Sequence, residues 1–225
     1  TMPVAGGEPK QITKTAENES DAIWTPDGKK IAFLAPLDGK MQIWEMDPDG
    51  SNRKAISNAK DDINAFSYAP DMKHVVYAKR VQLDPTITDR YPDLPLANAK
   101  IYDDLMYRHW NDWTDGKYSH LFIAPYPAMN EPTELLKGEK FHSPVPSSGG
   151  IEQVAWSPDG KKLAYCSKKL TGKKFAVSTN TDIYIYDLTA KTTINLTEPN
   201  KGYDMDPVFS PDGTKLVWWS MKTDG

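Results

Sequence analysis

Between residues 79 and 117 the chain gathers side chains able to hold a charged ligand. Asp103 and Asp104 stand side by side, Arg108 and Trp110 fall within Tyr107-Arg108-His109-Trp110, and Asp112 and Trp113 follow. An adjacent carboxylate pair over an enclosed cavity can capture a free amino terminus, and a guanidinium can clamp a carbonyl or carboxylate with two parallel hydrogen bonds. A plainer arrangement uses the same residues: Arg108 pairs with Asp112 while Trp110 and Trp113 wedge the segment against its support. Ile101 and Leu105, four apart, predict a short helix whose end Asp103 and Asp104 would flank.

Other chemistry is sparse. The four histidines, His74, His109, His120 and His142, show no His-Glu-x-x-His spacing, and no glycine-rich phosphate loop occurs. Cys166 is the single cysteine, so it can form neither an intrachain disulfide nor a thiolate metal site, and it reads as a small packed residue. The sequence therefore predicts no catalytic residue, no metal site and no cofactor in this chain. Lys and Arg number 27 against 31 Asp and Glu, a formal net charge of −4 without blocks of like charge. That argues against a nucleic-acid or anionic-membrane partner, both of which require a basic face. Apolar runs such as Leu216-Val217-Trp218-Trp219 fall far short of the roughly 18 residues of a membrane span. Residues 1–7 have neither the charged nor the apolar region of a targeting signal.

The elements that must position these residues come from a repeat. Trp24-Thr25-Pro26-Asp27-Gly28-Lys29-Lys30-Ile31-Ala32-Phe33 recurs as Trp156-Ser157-Pro158-Asp159-Gly160-Lys161-Lys162-Leu163-Ala164-Tyr165. A third copy runs from Phe209 through Pro211-Asp212-Gly213 to Trp218, and a degenerate fourth from Tyr68 through Pro70-Asp71-Met72 to Tyr77. Each copy reads as a hairpin: Pro presets φ, Asp favours the turn, and Gly28, Gly160 and Gly213 take the positive φ that closes it. Met72 stands where the others have glycine, which predicts strain or another backbone solution there. The turn aspartates read as turn formers rather than metal ligands. Trp24 and Trp156, alternating with polar residues, are expected to pack between repeats.

A second hairpin follows the first, as in Gln42-Ile43-Trp44-Glu45-Met46 running through Asp47-Pro48-Asp49-Gly50 into Arg53-Lys54-Ala55-Ile56. Each unit is then a four-stranded antiparallel sheet, too small to bury its faces unless it stacks on others of its kind, which predicts an all-β fold, a partial β-propeller. The repeated prolines are spaced 44, 88 and 53 residues apart, so the second unit holds a long insertion, placed at 79–117. The expected blades cover about 21–57, 63–137 and 151–197, with an incomplete one at 203–225, all in one propeller segment spanning 1–225. Pro9-Lys10-Gln11-Ile12-Thr13 reads as the outer strand of a further blade. Three whole blades plus parts of others do not close a ring, and open edges invite pairing. The expectation is a segment of a longer polypeptide, or self-association through the open blade edges.

The Pro-Asp-Gly hairpins resemble the Tol-type propeller repeat of periplasmic binding propellers and of prolyl oligopeptidase-family serine peptidases. The insertion, with Asp103-Asp104-Leu105-Met106-Tyr107-Arg108-His109-Trp110-Asn111-Asp112-Trp113 and then Lys117 to Phe122, resembles the propeller of secreted dipeptidyl and acylaminoacyl peptidases in that family. The resemblance implies a C-terminal α/β-hydrolase domain in the parent chain, with its nucleophile in Gly-x-Ser-x-Gly, a pentapeptide absent here. It also implies a peptide substrate, which this propeller would gate and help to bind, and a periplasmic or secreted location. Some dipeptidyl peptidases of the family hold the substrate amine with adjacent glutamates, and this sequence has no Glu-Glu. The alternative implied by the repeat is a Tol-like periplasmic propeller acting in protein–protein interaction. The insertion, the connection from Ser167 to Thr181 and the link from Lys137 to Gly150 are expected on one rim, where elaborated loops on a rigid scaffold usually bind.

Overall fold

In the computed structural model, which describes residues 1–146 and 149–224, three antiparallel four-stranded sheets follow one another along the chain. Ser147 and Ser148 of the long link, and Gly225 at the end of the last repeat, lie outside the described residues. The first sheet is β1 (Ser20–Trp24), β2 (Ile31–Leu37), β3 (Lys40–Met46) and β4 (Lys54–Ala55), each beside its sequence neighbour. The second opens with β5 (Ile63–Tyr68) and β6 (His74–Gln82). An insertion then carries the helix α1 (Ile87–Arg90) and a ribbon of β7 (Arg108–His109) and β8 (Asp112–Trp113). The second sheet resumes with β9 (Lys117–Pro125) and β10 (Thr133–Glu134), and β6 pairs with β9 from His74↔Pro125 to Gln82↔Lys117. The third sheet is β11 (Val154–Trp156), β12 (Lys162–Ser167), β13 (Asp182–Asp187) and β14 (Thr192–Asn195), with helix α2 (Gly172–Val177) between β12 and β13. A last pair, β15 (Asp204–Phe209) and β16 (Leu216–Ser220), forms a two-stranded sheet.

The repeat folds as it does because its polar atoms are spent on its own turn. The Thr25 hydroxyl donates to Asp27 Oδ1 at 2.7 Å and accepts the Lys30 N–H at 3.0 Å, while the Lys29 N–H reaches the same carboxylate at 3.2 Å. Ser157 and Asp159 repeat the bond at 2.7 Å, and Ser210 and Asp212 at 2.6 Å. The serine or threonine hydroxyl is the main reason that Asp27 and Asp159 lie below the usual carboxylate range and that Asp212 falls to about 2. Gly28, Gly160 and Gly213 have φ of 68°, 68° and 70°, and Met72 takes the same hand at 59°. The degenerate copy also has Ala69 where the others have a hydroxyl, leaving the Lys73 N–H on Asp71 Oδ1, 3.0 Å, as its side-chain turn bond.

Stacking of the sheets builds the core. One apolar cluster joins Leu34 and Ile43 of the first sheet to Phe66, Tyr68 and Tyr77 of the second. The next joins Val76 and Leu121 to Trp156, Leu163 and Tyr165 of the third, and another sets Cys166 and Ile183 against Phe209 and Trp218. Each such fully buried side chain contributes about 1.5–3 kcal/mol. The first residue of the turn motif reaches back to the preceding sheet: Tyr68 Oη donates to Glu45 Oε1 at 2.8 Å, and Trp156 Nε1 donates to the Ser67 carbonyl at 3.4 Å. Trp24 departs from the expectation. It is 54% exposed because, among the described residues, no sheet precedes β1 to receive it.

Pro9–Thr13 is likewise not a strand. It pairs with no strand, and Ile12 instead packs against Ile31, Phe33 and Met46. The predicted helix at Ile101–Leu105 is also absent. The Asp104 side chain accepts the Leu105 N–H at 2.8 Å, taking a donor that a helix would use.

Candidate functional site

The Pro-Asp-Gly turns occupy one rim, and the insertion, the β12–β13 connection and the link from β10 to β11 leave from the other. At its root the insertion is firmly held. The N–H groups of Leu83 and Asp84 converge on the Gly116 carbonyl at 3.0 and 3.1 Å, and Gln82 Nε2 donates to the carbonyls of Asp84 and Asp115 at 2.7 and 3.1 Å. Gly116 has φ of 75°, and a Cβ there would meet Gln82 Nε2 at 2.7 Å, so this neck requires glycine. Lys140 Nζ stands 2.6 Å from Asp84, and Tyr118 Oη donates to the same carboxylate at 2.8 Å. Partial burial opposes ionisation of Asp84, but these two partners hold it below the usual range.

The link below the insertion is strapped by two histidines. His120 is fully buried, its Nδ1 2.6 Å from Glu134 Oε1 and its Nε2 2.9 Å from the Glu139 carbonyl. The carbonyl requires a proton on Nε2. His142 accepts the Ser119 N–H on Nδ1 at 3.1 Å, and burial first, then Arg80 and His120, push it down to about 4. The Glu139 carboxylate meets Lys169 of the β12–β13 connection at 2.5 Å, tying the second sheet's link to the third sheet.

Further out, the insertion turns its side chains to solvent. Helix α1 starts in a reciprocal cap of Thr86 and Asp89, and its Arg90 lies 3.6 Å from Asp103. Tyr102 donates from Oη to the Thr114 carbonyl at 2.9 Å. The rings of Tyr102, Tyr107 and Trp113 lie 5.4, 5.8 and 6.0 Å apart in their three pairs, tilted by 28–35°. An open depression of about 480 Å³ is lined by Tyr102, Asp103, Asp104, Leu105 and Tyr107. Asp104 also abuts α2: a Cβ on Gly172 would lie 2.7 Å from its Oδ2, so the insertion and the β12–β13 connection meet there.

Of the residues singled out in the sequence, Asp103 and Asp104 line the depression, and Trp113 packs its ring against the two tyrosines that line it. Arg108 sits 5.3 Å over the Trp113 ring and donates from Nε to the Trp110 carbonyl at 2.7 Å. It makes no ion pair with Asp112, which is exposed opposite His109 in the ribbon. Trp110, at φ 49° and 74% exposed, stacks on His109 at 4.7 Å on the ribbon tip rather than wedging against the sheet. Sequence reasoning missed Tyr102 and Tyr107; their signal was two tyrosines flanking the acid pair. Among the described residues no group of three or more His, Cys, Asp or Glu is set to hold a metal, and no helix is long and apolar enough to cross a membrane.

Over its full length the chain is 42% identical to a dipeptidyl-peptidase 5 of Porphyromonas gingivalis, and over 98% of it 38% identical to that of Porphyromonas endodontalis. It spans about a third, 33% and 32%, of those two proteins. Among solved structures, a Pyrococcus horikoshii acylaminoacyl peptidase superposes with a TM-score of 0.60 and 18% identity over 91% of this chain and 28% of its own. TolB from Acinetobacter baumannii gives 0.56 and 16% over 98% of this chain and 42% of its own. At that identity both establish the propeller fold alone. No protein-family model matches the chain.

Proposed function

The chain is a propeller segment related to dipeptidyl-peptidase 5 along its whole length, and on that premise we propose that it is the non-catalytic part of a serine peptidase that gates and helps to bind peptide substrates. The observation that carries this reading is the 42% identity across the complete chain, which takes in the insertion as well as the repeats. Its partner would be an α/β-hydrolase domain elsewhere in the same polypeptide, seated over the rim that bears the insertion, and the peptidase would work in the periplasm or outside the cell. The rim suits the task. A neck fixed by Gly116 and Asp84 holds the insertion at its root, while its aromatic and acidic side chains stay open to solvent. Entry past such a rim is limited to short or unfolded chains, and the exposed side chains supply contacts to them.

The test replaces residues 83–116 by an Asn-Gly turn in the whole gene product, joining Gln82 to Lys117, which already face each other across β6 and β9. The ratio of kcat/KM for a dipeptidyl naphthylamide to that for a 30-residue peptide should fall by about tenfold or more, a change of ~1.4 kcal/mol in discrimination. An unchanged ratio in a folded variant overturns the gating role.

A further inference from the structure

The insertion offers a chemistry that gating alone does not use. Residues 83–116 hold seven acidic and three basic side chains, an excess of four that equals the net charge of −4 of the whole chain. Beside this charge lies the ring cluster of Tyr102, Tyr107 and Trp113. Aromatic faces attract cations, most strongly where a carboxylate completes the contact. The molecule already builds that constellation from its own residues: the Arg53 guanidinium lies 5.2 Å from the Phe33 ring, 4.7 Å from Trp44 and 2.7 Å from Glu19, and the Lys169 ammonium lies 4.7 Å from the Tyr184 ring and 2.5 Å from Glu139. Trp113 carries its own cation, Arg108, at 5.3 Å. Among the described residues Tyr102 and Tyr107 have rings and neighbouring carboxylates but no cation over them. Asp104 has no ion-pair partner there, and Asp103 is 77% exposed with Arg90 at 3.6 Å.

We propose that Tyr102, Tyr107, Asp103 and Asp104 form a subsite for the cationic side chain, lysine or arginine, of an incoming peptide. The proposal deepens the peptide-binding reading and rests on it, but not on gating or hydrolysis, so binding to the 225-residue chain tests it separately. The depression, about 480 Å³ and broadly open to solvent, leaves room for a side chain to lie across the rings with its head group at the carboxylates.

Calorimetric titration would compare N-acetylated, C-amidated Gly-Arg-Gly and Gly-Lys-Gly with the norleucine peptide, so that no free terminus is present. The cationic peptides should bind at least about tenfold more tightly than the norleucine peptide, and more weakly as salt rises. Tyr107→Leu and Asp104→Asn should each weaken the arginine peptide about fivefold. Equal binding of the norleucine peptide overturns the proposal. So does an unchanged affinity in Tyr107→Leu, or the absence of binding to a chain whose circular dichroism shows it folded. Loss of substrate discrimination on removal of the insertion, without cationic preference, would leave gating standing and this subsite refuted.

Discussion

Placing alanine at two equivalent glycines separates the cost of the turn from the cost of stacking. Gly28 and Gly160 both have φ of 68°, so alanine at either meets the same left-handed penalty, about 1 kcal/mol. Their surroundings differ. A Cβ at Gly28 meets nothing within 4 Å, whereas one at Gly160 would lie 2.8 Å from both Cγ and Oδ1 of Asp71, in the turn of the neighbouring sheet. Asp71 is not free to swing away, because its Oδ1 accepts the Lys73 N–H at 3.0 Å and so holds the turn strained at Met72. Displacing it costs roughly one further hydrogen bond, about 1 kcal/mol. Gly28→Ala should therefore destabilise by ~1 kcal/mol and Gly160→Ala by ~2 kcal/mol. In a double-mutant cycle Asp71→Ala should remove the difference, a coupling of about 1 kcal/mol. Urea denaturation followed by tryptophan fluorescence reads all five proteins, the unaltered chain included. Equal losses for the two glycines, or zero coupling to Asp71, would refute the claim that these turns abut in neighbouring stacked sheets.

Trp156→Ala should cost about 3–5 kcal/mol, since the ring is buried between the second and third sheets, while Trp24→Ala, at the exposed equivalent position, should cost under about 1 kcal/mol. Thermal melts of the two variants settle the contrast. His142 is held near pKa 4 in the folded chain against 6.5 for the free group, so the unfolded chain takes up its proton first. Its contribution is complete above pH 6.5 and is lost as pH falls toward 4, by at most about 3 kcal/mol. Denaturation midpoints between pH 7 and 4.5 should drop less steeply in His142→Gln than in the unaltered chain, and parallel slopes would contradict this. Cys166 is buried and its thiol pushed up to about 12, chiefly by that burial. It should resist a thiol-reactive disulfide reagent until urea unfolds the chain; rapid labelling of folded protein would show the sheet interface to be open.

Fold and site were not equally legible. The turn motif was readable because its chemistry is local: proline, aspartate and glycine at fixed offsets specify a hairpin whatever lies around it. Its serine and threonine hydroxyls were missed, although they bind the turn aspartates at 2.6–2.7 Å, since a hydroxyl before proline has several possible partners in sequence. Trp24 and Trp156 are identical in motif and opposite in exposure because burial depends on the neighbouring sheet, a long-range fact. In the insertion, two apolar residues four apart could not outweigh an aspartate able to take the backbone donor, and no helix formed. The aromatic cluster escaped notice because Tyr102, Tyr107 and Trp113 share no period; the ribbon β7–β8 returns Trp113 to the tyrosines.

The central claim is that this propeller serves a serine peptidase whose reacting serine lies elsewhere in the same polypeptide. Labelling with a fluorophosphonate, alongside release of dipeptides from a dipeptidyl naphthylamide, puts it to the test on the whole gene product and on the 225-residue chain. The account predicts one labelled serine outside residues 1–225, dipeptide release by the whole protein, and neither label nor release for the chain alone. A whole protein without a reactive serine, or a 225-residue chain that itself takes the label, would contradict it.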